Sequence, residues 1–155
     1  MIAFSENLVV VDLDAPDAHF VIDVLAEKLF NQDLVTADYG NQTWAREQEH
    51  PTGLPTNPFP IAFPHADADC VKKSALAVAI LRKPIPFKNM ADPDEDLDVN
   101  IVLMLANNNP EEQIQTLRNL ALLFGEPEKL DSLRNQSTAQ AVTEWLRQEL
   151  VLDVI

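Results

Sequence analysis

The sequence predicts a three-layer α/β/α sandwich with a mixed central sheet, and three observations carry that expectation. Two apolar runs, "SALAVAILRKPIPF" and "DVNIVLMLA", are too continuous for strands with one wet face, so they predict central strands covered by helices on both sides. Strand-like segments fall early and in the middle of the chain, with helical patterns before and after them. With 155 residues, 46% of them apolar, the chain can build one real core, and a single domain over 1–155 is expected.

The elements follow in order. "NLVVVDLD" reads as a first strand. "DAPDAHFVIDVLAEKLF" has an acidic, proline-marked start and places Val21, Val24, Leu25 and Leu29 on one helical face. A shorter helix is expected over "NQTWAREQE". It is ended by "HPTGLPTNP", whose prolines and glycine predict irregular structure. An extended "PIAFP" comes next, then the two central strands, joined by the acidic "KNMADPDEDLD". That connection alternates oxygen ligands as a calcium loop does. It lacks the sixth-position glycine and the distant glutamate of an EF-hand, so it reads as a solvated loop.

After Ala106 the pattern turns helical. Pro110 suits a first turn, Glu111 and Glu112 suit its dipole, and Ile114, Leu117, Leu120, Ala121 and Phe124 form a stripe that Gly125 stops. Two more helices are predicted near "EPEKLDSLRN" and "STAQAVTEWLRQEL", the second capped by Ser137 or Thr138. The closing "LVLDVI" either completes the sheet or core or covers a neighbouring subunit.

Charge narrows the function classes. With 25 acidic against 11 basic residues and a net charge of -14, the chain repels phosphate backbones and anionic lipid, which argues against nucleic acid and membrane surfaces and for a basic protein partner. No apolar run approaches the roughly 20 residues that span a bilayer. The first basic residue is Lys28, unlike the positive start of a secretory signal, so a cytoplasmic location is expected. Cys70 is the single cysteine and has no disulfide partner within the chain.

The chemistry concentrates in "IAFPHADADC", residues 61–70. A metal site built from His65, Asp67, Asp69 and Cys70 would mix hard and soft ligands without the second half of a paired motif, and no metal is expected. "PIAFP" buries alternate side chains and releases the backbone at Pro64, which places His65 at the lip of a sheet. A neutral imidazole there can attack through one ring nitrogen while a hydrogen bond fixes the other. The chain has no G-x-S-x-G elbow and, with three glycines, no phosphate-cradling glycine loop. The residues alone leave His65 as a candidate nucleophilic or acid/base histidine.

The run "AREQEHPTGLPTNPFPIAFPHADADCVKKSALAVAIL" resembles the active-site region of enzyme IIA of the bacterial phosphoenolpyruvate-dependent sugar phosphotransferase system, in its fructose/mannitol superfamily. The shared elements are "ARE" at 45–47 and "IAFPHA" at 61–66. The spacing made by "EHPTG", with "KS" after the histidine and the later "NPEEQI", is similar to the galactitol-type branch. The resemblance implies a mannitol/fructose-type IIA fold and a phosphocarrier that uses no cofactor. His65 would accept a phosphoryl group from phosphohistidine on HPr and pass it to a cysteine of enzyme IIB, which serves the membrane component IIC in uptake of galactitol or a related polyol. Arg46 would donate to phosphate oxygens. Gln113 stands where mannitol-type members carry a second histidine, as in the galactitol branch, and its amide would donate to phosphate. Thr52 would supply a hydroxyl at the pocket rim.

Ala66 replaces the glycine common after the histidine, and Asp67 and Asp69 are expected to face a partner or bond to backbone. Lys72 and Lys73 suit a solvated strand edge, Cys70 suits packing, and His19 and His50 lie outside the motif. The alternative is a regulatory IIA-like protein, whose phosphorylation state controls binding to another protein.

Overall fold

A computed structural model describes residues 1–111 and 113–155. Its centre is a hairpin of two long strands, β5 (Ala75–Lys88) and β6 (Asp96–Ala106), paired antiparallel from Ala75↔Ala106 to Lys88↔Asp96. Around it are β1 (Ile2–Phe4), β2 (Val9–Leu13), β3 (Gly53–Leu54), β4 (Ile61–Ala62) and β7 (Leu152–Val154). The seven-stranded sheet runs β3-β4-β6-β5-β1-β7, with β2 also on β5. The β4–β6, β1–β5, β2–β5 and β1–β7 pairs are parallel and β3–β4 is antiparallel, so the sheet is mixed.

The apolar continuity of β5 has a simple cause: over 75–81 both of its faces are buried, while from Arg82 onward exposed residues appear and only Ile85 and Phe87 turn inward. Ala75, Ala77 and Ala79 join Val21, Ile22 and Leu25 of α1 (Ala18–Asn31) in one core cluster. Leu76, Val78 and Ile80 join Leu120, Leu130, Leu133, Val142 and Leu146 in a second, which covers the other face with α3 (Ile114–Phe124), α4 (Pro127–Arg134) and α5 (Ala139–Glu149). Side chains alternate across a strand, so one run feeds two cores. Each large residue buried there contributes about 1.5–3 kcal/mol relative to exposure. α2 (Tyr39–Glu49) packs beside α1.

Caps set several boundaries. Asp17 accepts a hydrogen bond from the Phe20 amide (2.9 Å) to start α1, and Thr138 accepts one from the Ala141 amide (3.0 Å) to start α5. Pro127 occupies the first turn of α4.

Four expectations need correction. A three-residue strand, Ile2–Phe4, precedes the expected first one, and a 3-10 turn at Glu6–Leu8 separates the two. "HPTGLPTNP" is not wholly irregular, because Gly53 and Leu54 pair with Ala62 and Ile61. α3 starts at Ile114, after a turn in which the Gln113 amide bonds the Pro110 carbonyl (3.2 Å). Glu111 therefore lies before the helix, and Glu112 falls outside the described residues. Its core face is also rotated: Thr116, Leu120 and Leu123 are buried, while Ile114 and Ala121 are exposed. "LVLDVI" completes the sheet, with Ile2↔Leu152 and Phe4↔Val154 in register.

β3 is short but tightly placed. A Cβ added at Gly53 would stand 2.4 Å from the Lys88 carbonyl oxygen, on the neighbouring backbone. Gly53→Ala is expected to destabilise the fold by about 1–3 kcal/mol. A denaturant midpoint equal to wild type would show that β3 can move freely.

Candidate active site

β4 and β6 run parallel, so the chain leaves both at the same edge of the sheet. Loops beyond the carboxyl ends of such strands form a crevice. Here a depression of about 330 Å³ lies between them, lined among others by Arg46, Phe63, His65, Asp67, Asn107 and Leu117. The Tyr39 hydroxyl, buried beneath it, donates to the carbonyl of Leu105, which also lines it (3.2 Å). Burial pushes that phenol well above its ordinary range.

His65 is half-buried, and its Nδ1 lies 3.0 Å from the Phe63 carbonyl oxygen. A carbonyl can only accept, so Nδ1 is the donor, and in the neutral ring the lone pair lies on Nε2. The Phe63 ring tilts 51° to the imidazole at 6.2 Å and meets Phe124 edge-on at 5.6 Å.

α2 delivers two adjacent residues to different places, because successive residues on a helix project about 100° apart. Arg46 turns outward. Its Nη1 lies 3.5 Å from Asp67 Oδ1, and its Nε is buried with no hydrogen-bond partner among the described residues. Glu47 turns inward, and its carboxylate accepts from the Thr52 amide (2.9 Å) and the Thr52 hydroxyl (2.7 Å). Its partner is thus Thr52.

Thr52 is 3% exposed, and its hydroxyl and carbonyl oxygens both accept from the Phe63 amide (3.2 and 3.3 Å). A continuous chain of bonds therefore links Glu47, Thr52, Phe63 and His65. The sequence does not reveal this relay. The "RE" pair and the "PTG" turn were its visible parts, but nothing in their spacing shows which side of the turn they bond.

Gln113 is 4% exposed and is not one of the residues lining the depression, although Pro110 and Leu117, to either side of it in the chain, are. Its carbonyl accepts from the Leu117 amide (3.0 Å). Asp67 is exposed beside Arg46, and Asp69 is exposed in the same loop. Lys72 and Lys73 are tied to Asp33 (2.6 Å) and Asp153 (3.0 Å). Cys70 packs against the α1-side core. His19 stacks on Trp44 (4.5 Å, 4°), and exposed His50 ends α2.

Burial pushes the Glu47 carboxyl above its ordinary value of 4.5, and the two Thr52 hydrogen bonds pull it partly back. A carboxyl whose folded value is raised gives stability that is complete below the unfolded value and is lost as pH rises through the folded one. Glu47→Gln removes this titration. Urea unfolding from about pH 4 to 7 is expected to show wild type losing stability relative to the variant as pH rises; parallel profiles would contradict the burial argument.

The family described as "Phosphoenolpyruvate-dependent sugar phosphotransferase system, EIIA 2" matches residues 2–149. The galactitol-specific EIIA component of Escherichia coli (strain K12) is 34% identical over 98 residues, 60% of this chain and 65% of that protein. The match thus spans less than two thirds of that relative's length. Transcriptional regulator ManR of Bacillus subtilis (strain 168) is 29% identical over 141 residues, 90% of this chain and 20% of the regulator. A chain of the complex of enzyme IIAMTL and phosphorylated enzyme IIBMTL from Escherichia coli shares the fold. It has a TM-score of 0.73 at 21% identity and covers 92% of this chain and 95% of that one. No helix among the described residues is long and apolar enough to cross a membrane.

Proposed function

The chain belongs to the EIIA 2 family of the phosphoenolpyruvate-dependent sugar phosphotransferase system, and from that premise we propose that it is a phosphocarrier working through His65. HPr would be its phosphoryl donor and a cysteine of enzyme IIB its acceptor, on behalf of a membrane IIC component that takes up galactitol or a related polyol. The whole chain, 1–155, would act as one IIA domain in the cytoplasm. The 34% identity to a galactitol-specific EIIA component supports the sugar class. A family neighbour seen in complex with phosphorylated IIB supports the acceptor.

The observation that carries the chemistry is the 3.0 Å contact between His65 Nδ1 and the Phe63 carbonyl. In the neutral ring it leaves the lone pair on Nε2, and the ring lines the same depression as Arg46. In the forward step an Nε2–P bond forms as the donor's N–P bond breaks. The donor's nitrogen keeps the electron pair, and the positive charge gathering on the ring is held by the Nδ1–H against the carbonyl. Arg46 offers a planar fork to oxygens whose charge spreads in transfer. In the second step a cysteine thiolate forms an S–P bond and the electron pair returns to Nε2. Positioning and electrostatics suffice for both. Gln113 would add an amide near the phosphate. Thr52 would act at one remove, by fixing the Phe63 backbone that aims the ring.

The test is incubation with phosphoenolpyruvate, enzyme I and HPr, followed by intact-mass analysis and a chase with a cognate IIB. One acid-labile phosphoryl group that moves on to a IIB cysteine is expected. No gain from a competent HPr would overturn the reading. The likeness to 20% of a transcriptional regulator favours a second reading, in which phospho-His65 governs protein binding. It predicts a phosphoryl group that stays on the chain in the presence of IIB and alters affinity for another protein.

A further inference from the structure

We propose that Asp67 is a positioning residue that sets how readily the phosphoryl group leaves His65, by competing with it for Arg46; this rests on the phosphocarrier reading. Among the described residues lining the depression, Arg46 and Asp67 are the ones that carry a fixed charge. Their contact is loose, 3.5 Å between side chains 39% and 80% exposed, and Arg46 Nε has no hydrogen-bond partner among the described residues. The guanidinium is therefore held beside the site by a counter-ion it can release, with hydrogen-bonding capacity to spare.

A phosphoryl group on Nε2 brings between one and two negative charges into this space. Arg46 must then serve two anions, and Asp67 repels the new one. The nearby lysines do not relieve the conflict, since Lys72 and Lys73 are engaged by Asp33 and Asp153. Asp67 thus raises the free energy of the phosphorylated form relative to the bare one. When the Nε2–P bond breaks and the electron pair returns to the ring, Arg46 falls back on Asp67 and the conflict ends. The unphosphorylated chain is the state in which both charges are matched.

The test compares wild type, Asp67→Asn and Asp67→Glu at equilibrium with HPr and its phosphorylated form. Phosphorylated fractions and the loss of phosphoryl from the isolated proteins are followed at two salt concentrations. Asp67→Asn is expected to shift the equilibrium about tenfold toward the phosphorylated chain and to slow its decay. Asp67→Glu keeps the charge and is expected to stay near wild type. The gap between wild type and Asp67→Asn should narrow at high salt. An unchanged equilibrium, a shift toward phospho-HPr, or a gap indifferent to salt overturns the proposal. Wild type that takes no phosphoryl group from HPr is a different failure, since it overturns the phosphocarrier reading itself.

Discussion

Replacing His65 by Gln is expected to abolish phosphoryl acceptance, with transfer from HPr falling on the order of 10⁴-fold or more, as when a covalent catalyst loses its nucleophile. Neither remaining histidine lines the depression that holds His65. His19 is stacked flat on Trp44 away from the depression, and exposed His50 lines an adjoining hollow that shares Arg46 and Asp67 with it but does not contain His65. The loss should be chemical rather than structural, because the ring is half-buried and its hydrogen bond goes to a local carbonyl. The check is peptide mapping of acid-labile phosphate beside a thermal melt. Phosphate retained at another residue of the variant would displace His65 from the centre of the mechanism. A collapsed melt would instead make the result uninformative about transfer, and His65→Asn would then be compared.

Arg46→Ala carries the second largest expected effect, a fall of about 10²–10³ in the single-turnover rate. That is the range for removing one preorganised group that meets developing charge. Stability should hardly move, because the ion pair lost among the described residues is the 3.5 Å contact to an exposed carboxylate, worth at most about 1 kcal/mol. Arg46→Lys keeps the charge but loses the planar fork, so partial recovery is expected. Rapid-quench measurement of phosphoryl arrival from phospho-HPr decides the matter. Rates within a factor of a few of wild type for Arg46→Ala would remove the guanidinium from the transfer step.

The sequence was informative where chemistry and periodicity span many residues. β5 and β6 could be read because their apolar runs are long enough to exclude a half-wet strand. His65 stood out because "PIAFP" ends at a proline that must release the backbone. β1, β3 and β7, of two or three residues each, are too short to show any period. They exist because long-range partners are already in place, and sequence neighbours do not record such partners. The rotation of α3 has a similar cause. Spacing fixes which residues of a helix share a face, but the elements it packs against decide which face turns inward, and here that face carries Thr116, Leu120 and Leu123. The Glu47–Thr52–Phe63 relay escaped notice because its links cross a turn and a strand pair, one of them spanning 11 residues.

The acceptor that orients His65 is a main-chain carbonyl, and no side-chain substitution deletes a carbonyl. Position 63 therefore tolerates exchange of its ring for another apolar group without loss of the tautomer. The inherited vulnerability lies upstream, at Glu47 and Thr52, whose bonds hold that stretch of backbone in place. Damaging variants of this reaction centre should accordingly accumulate at two buried positions that never meet the phosphoryl group, while the residue next but one to the nucleophile drifts.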